Sequence, residues 1–147
     1  MDYNIIASGI ELVGTTVKYI SVENGIVDIE KDAKRNFGLS INEPYFDETE
    51  EGFFAQMIID FDIEIEQSDE QKFKLKLSLE GAFISHDGVD RGEFRQLVAV
   101  NGAAALVGIA RGKIETITAN IFHNGKIVIP FVNVVDYYKS VAEESRK

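Results

Sequence analysis

A chain of 147 residues with 45% apolar side chains can bury one ordinary core, so a single domain over residues 1–147 is expected. Fifteen basic residues against twenty-five acidic ones leave a net charge of −10, a field that repels nucleic acid and anionic membrane surfaces. The absence of cysteine excludes disulfides, thiolate metal sites and a cysteine nucleophile.

The opening MDYNIIASGIELVG has neither the basic n-region nor the continuous apolar stretch of a secretory leader. No run approaches the ~18 apolar residues that span a bilayer. A cytoplasmic chain without membrane insertion is the expectation. IELVGTTVKYISVENG (10–25) and KRNFGLSINEPYF (34–46) alternate weakly and read as two strands, with turns at 24–25 and 49–52. The pattern is clearest over 53–80. Met57, Ile59, Phe61, Ile63 and Ile65 alternate with Asp60, Asp62, Glu64 and Glu66, the mark of a strand with one buried face. After QSDEQ, Phe73, Leu75, Leu77 and Leu79 alternate with Lys72, Lys74 and Lys76. A hairpin pairing Glu66 with Lys72 also pairs Glu64 with Lys74 and Asp62 with Lys76. Opposite charges then face each other on a solvated surface, for ~0.2–1 kcal/mol per pair at best.

From Glu93 to Ile121 the period becomes helical. Val100, Ala103, Val107, Ala110, Ile114, Ile117 and Ile121 form an apolar stripe, beside a smaller, more polar one of Asn101, Ala104, Gly108, Arg111 and Glu115. Asn101 and Gly102 divide a short first turn from the main helix. The glycines at 102, 108 and 112 each cost about 1 kcal/mol relative to alanine in a helix interior, and make sense where another backbone comes close. The turn HNG leads into KIVIPFVNVVDYYK (126–139), nine of whose fourteen side chains are apolar. Asn133 caps a last helix, with Asp136 at its positive end and Arg146 and Lys147 at the other. Phe131, Val134, Val135, Tyr138 and Ala142 share one side of it. Strands followed by helices define an α+β fold: a four-stranded antiparallel sheet with two helices packed on one face.

Catalytic chemistry finds little support. His86 and His123 fall at turns, each without a second ligand at metal spacing. GIARGKI has short glycine spacing for a phosphate loop, with Ile114 where a metal-holding Ser or Thr belongs. DGVDRGE (87–93) lacks the spacing of a calcium loop, and no nucleophile-elbow sequence occurs. No catalytic residue, metal or cofactor is expected.

The run NGAAALVGIARGKIETITANIFHNGKIVIPFVNVVDYY (101–138) carries Asn101, Arg111 and Ile114 on the helix. Pro130, Val132 and Asn133 form a Pro–X–Val–Asn motif, and Tyr138 lies in an aromatic-rich last helix. With VKYISVEN (17–24) as a first strand and LEGAFIS (79–85) ending the fourth, this order resembles the export chaperone SecB and its relatives. The resemblance implies an ATP-independent holdase, assembled as a dimer of dimers, that wraps unfolded polypeptide in apolar grooves. It implies client contacts at Phe122, Ile127, Ile129, Phe131, Val134, Tyr137 and Tyr138, the aromatics giving sequence-tolerant contact. It also implies self-association through Gly102, Gly108, Arg111, Gly112 and Glu115. Two features depart from SecB proper. VGIARGK stands where SecB carries an aromatic–proline–aromatic run followed by Glu. Lys74 and Lys76 lie on the sheet surface that SecB presents, acidic, to the motor SecA. Binding to SecA is therefore in doubt, and an antitoxin, which some SecB-like proteins protect, is the other partner implied. Read without the resemblance, the residues leave open an α+β module that binds a small apolar ligand between sheet and helices.

Overall fold

Alternating side chains build an antiparallel sheet of five strands, β1 (Ile10–Asn24), β2 (Lys34–Ile41), β3 (Tyr45–Thr49), β4 (Gly52–Glu66) and β5 (Lys72–Ser85). The computed structural model describes residues 9–146; the opening MDYNIIAS, read above for a leader, and Lys147, placed above at the end of the last helix, lie outside the described residues. The strand order is β1-β5-β4-β2, and β3 pairs with β4 along the same edge as β2. Four strand positions are filled, as expected, but the second is broken. Pro44 has no N–H to offer a ladder, and the Asn42 side chain turns to the Ile58 carbonyl and the Asp60 carboxylate instead. What reads as one strand over 34–46 is therefore two.

The β4–β5 hairpin has the register that its charges suggest: Glu66 opposite Lys72, Glu64 opposite Lys74, Asp62 opposite Lys76. Lys74 Nζ lies 3.9 Å from the Glu64 carboxylate, both half exposed, so the pair adds little stability. The opposite face is apolar and fully covered: Met57, Ile59, Ile63, Phe73, Leu75 and Leu79 are all buried.

That cover is helical. Helix α1 (Arg91–Leu97) starts where the Asp90 carboxylate accepts the Glu93 N–H at 2.8 Å. It runs through a wider π turn (Val98–Gly102) into α2 (Ala103–Ala119). The break expected at Asn101 and Gly102 is this π turn, with helical backbone on both sides. By length and composition the rod Arg91–Ala119 is long and apolar enough to cross a membrane, which the sequence reading missed. Here its buried side chains, Phe94, Val98, Leu106, Val107, Ala110 and Ile114, join the sheet in one core. The approach is close. A Cβ on Gly81 of β5 would meet Leu106 Cδ2 at 2.4 Å, and one on Gly102 would meet Phe83 Cζ at 3.0 Å. A last helix, α3 (Val134–Ser145), begins where the Asn133 side chain accepts the Asp136 N–H at 3.1 Å, as its sequence predicts.

Candidate functional site

Residues 120–133 cross from α2 to α3 without regular structure, and α2 pins them from above. The Thr118 side chain is fully buried; its hydroxyl donates to the Ile114 carbonyl and accepts the Ile127 N–H, both at 2.8 Å. Arg111 Nε donates to the Ile129 carbonyl at 2.9 Å, and its guanidinium lies over the Phe131 ring, 4.4 Å from the centroid. Lys126 Nζ sits 2.6 Å from Glu115, and its hydrogen bond and charge hold that carboxyl below its ordinary 4.5. At the near end the His123 N–H donates to the Val27 carbonyl at 2.9 Å. At the far end two adjacent tyrosines of α3 reach in opposite directions. Tyr138 donates to the Ala99 carbonyl at 2.7 Å, and the Tyr137 hydroxyl accepts the Ile41 N–H at 2.9 Å. Burial, and then the neighbouring Tyr137, push the Tyr138 phenol above 10, so it stays a donor at neutral pH.

Pinned in this way, the crossover alternates. Ile127 and Ile129 turn into the core, while Val128, 53% exposed, and Pro130 turn out. Between this outer side and β2 runs a groove of about 340 Å³ lined by Arg35, Phe37, Lys126, Ile127, Val128 and Pro130. Phe131, 90% exposed, stands near its end against Arg111. Its lining is apolar apart from the two cations Arg35 and Lys126. No group of acidic and histidine side chains close enough to hold a metal occurs among the described residues.

The structure divides the expected client-contact residues. Phe122, Ile127, Ile129 and Val134 are at most 5% exposed, so with the crossover docked they are core, and a polypeptide on the surface does not reach them. Tyr137 and Tyr138 are half-buried with their hydroxyls spent on the backbone, and Phe131 alone is fully presented. The groove side chains that sequence reasoning missed are Arg35, Phe37, Val128 and Pro130. Val128 was legible, since it occupies the other phase of the Ile127–Ile129 alternation. Phe37 was not, because its side depends on its register opposite Ile63 of β4.

The expected self-association residues also separate. Gly102 is buried beneath the chain's own Phe83 ring, which accounts for it without a second copy. Arg111 and Glu115 hold the crossover. Gly108 and Gly112 lie on the exposed side of α2, with open space where a Cβ would stand.

An open antiparallel sheet backed by a helix, with a groove between an edge strand and a pinned crossover, defines an α+β protein. Neither a family model nor a curated protein sequence matches this chain. Among solved structures, a SecB-like chaperone of Mycobacterium tuberculosis, in complex with a peptide from the HigA1 antitoxin, matches with a TM-score of 0.60 at 14% identity. The match covers 84% of this chain and 90% of that one. At that identity the likeness is one of fold, and the fold is SecB-like. A protein of unknown function from Streptococcus agalactiae matches at a TM-score of 0.47 and 13% identity, over 85% of this chain and 99% of that one.

Proposed function

We propose that this chain is a chaperone that holds non-native polypeptide, without ATP, in the groove between β2 and the crossover. The observation that carries the reading is that groove on a SecB-like fold: Phe37, Val128 and Phe131 are 39%, 53% and 90% exposed in one region. Side chains of that size left in water favour a polypeptide partner with apolar segments. Unfolded chains bind such surfaces through many weak contacts, so no reactive group is needed.

The peptide-bound M. tuberculosis structure makes an antitoxin segment a reasonable client class for this chain, beside export clients. Self-association into a dimer or tetramer belongs to the same proposal. The outer side of α2 at Gly108 and Gly112 and the strand β1, an edge of the sheet among the described residues with Val13, Tyr19 and Ile20 exposed, are its surfaces. A cytoplasmic location fits such clients. A carrier of a small apolar ligand between sheet and helices is the poorer reading, because α2 lies too close to the sheet for a Cβ at Gly81 or Gly102.

The test is light scattering from several unrelated, chemically unfolded proteins, with and without this chain. Suppressed aggregation at near-stoichiometric ratios is the expected result. Unchanged aggregation of every client removes the chaperone reading.

A further inference from the structure

The backbone of β2 says how the groove takes its occupant. The Asn42 N–H donates to the Ile58 carbonyl at 3.0 Å, so the 42/58 pair is a hydrogen-bonded one. Antiparallel ladders alternate, and the β2–β4 register is unbroken from Lys34 opposite Glu66 to Ile41 opposite Ile59. Residues 34, 36, 38 and 40 therefore direct their N–H and C=O groups at β4. Residues 35, 37, 39 and 41 direct theirs away from the sheet. The outward Ile41 N–H is taken by the Tyr137 hydroxyl at 2.9 Å. Among the described residues, the N–H groups of Arg35, Phe37 and Leu39 have no backbone partner.

Arg35 and Phe37 line the groove and Leu39 follows them on the same strand; the three share a face of the sheet with their partners Ile65, Ile63 and Phe61. The groove lining carries two cations, Arg35 and Lys126, and no anion, in a chain of net charge −10. Lys126 is engaged by Glu115, whereas among the described residues Arg35 meets only the Glu30 carbonyl, at 3.4 Å. Arg35 is the cation free to take a carboxylate.

We propose that the groove binds an extended polypeptide as an added strand on β2, paired to the backbone at Arg35, Phe37 and Leu39 and ended by Tyr137, and that it prefers a segment whose alternate apolar residues are flanked by an acidic one. The proposal rests on the chaperone reading and adds its geometry. Backbone pairing supplies sequence-independent affinity. Side chains on one side of the added strand drop onto Phe37, Val128 and Pro130, and an acidic neighbour meets Arg35. The Tyr137 bond closes the open edge at Ile41, which sets where pairing stops.

The experiment is fluorescence anisotropy with a labelled synthetic peptide of alternating Leu and Ser between Glu residues. Phe37→Ala removes the side chain and keeps the outward N–H; Phe37→Pro removes the N–H as well, without touching a bond to β4. The proline variant should bind roughly tenfold more weakly than the alanine variant, the effect of losing one well-placed backbone bond. N-methylation of every second peptide amide should abolish binding in one phase and spare it in the other, which decides the matter if the proline variant fails to fold. Exchanging the peptide Glu residues for Lys should weaken binding by about tenfold. Equal binding by the two Phe37 variants, together with equal binding by the two N-methylated phases, overturns strand addition while leaving the chaperone reading standing. Equal binding of the Glu and Lys peptides overturns the acidic preference. A wild-type chain that binds no peptide and holds no unfolded client overturns both readings.

Discussion

Thr118 is fully buried, and its hydroxyl serves two elements at once, donating back into α2 and accepting from the crossover. Thr118→Val preserves the shape and leaves the Ile127 N–H unpaired in an apolar setting, which costs about 1–3 kcal/mol. Urea denaturation should show that loss, and Thr118→Ser should recover part of it; a valine variant as stable as the wild type would mean that the crossover is held by its apolar contacts alone. Glu115 and Lys126 make the same junction sensitive to acid. Their hydrogen bond, and secondarily their charges, lower the folded-state pKa of Glu115, so its contribution is complete above 4.5 and is lost as pH falls through the lowered value. Amide exchange at residues 126–129 should therefore quicken below pH 4.5 in the wild type more than in Lys126→Met. Identical acid profiles would show that the pair does not restrain the crossover.

At the scale of elements, local chemistry and long-range contact divide the account. The strands β4 and β5 were legible with their register, because period-two alternation and complementary charges both reside in the two segments that pair. The start of α3 was legible because an Asn cap acts within three residues. The interruption between β2 and β3 was harder to see: Asn42 keeps its backbone bond to Ile58, and its side chain adds bonds to Ile58 and Asp60 of β4, sixteen and eighteen residues away. The helical glycines teach the same lesson. Spacing grouped Gly102 with Gly108 and Gly112, but among the described residues only Gly102 meets another element. Alanine at both 108 and 112 has room and gains about 1 kcal/mol of helix propensity at each site. The double variant should melt higher, and if this face of α2 joins two copies, its sedimentation mass should fall toward that of one chain. A variant that keeps the wild-type assembly would take both glycines out of the interface.

For the whole molecule, charge decides which large partners can dock. The exposed sheet face sets Asp62, Glu64 and Glu66 directly against Lys76, Lys74 and Lys72. A basic docking surface on SecA meets cancelling charge there, despite the net −10. Titration with purified SecA should give weak binding that fades as the screening length drops to ~8 Å at physiological ionic strength. The Lys74→Glu, Lys76→Glu double variant should bind more tightly at low salt. Tight wild-type binding that persists in physiological salt and is lost in that variant would reverse the argument and restore an export role.

The sequence by itself determined the elements whose signals are local: alternation for β4 and β5, the Asn133 cap of α3, the helical stripe of α2, and a net charge unsuited to nucleic acid. It also determined that 126–139 is unusually apolar. Which of those side chains form core and which form groove was decided only by the tertiary structure. Hydrophobic burial has no direction, so Ile127 and Val128 carry the same local signal. Arg111 and Thr118, reaching from α2 to the backbone at Ile129 and Ile127, turn one phase of the segment onto the sheet and leave the other beside β2.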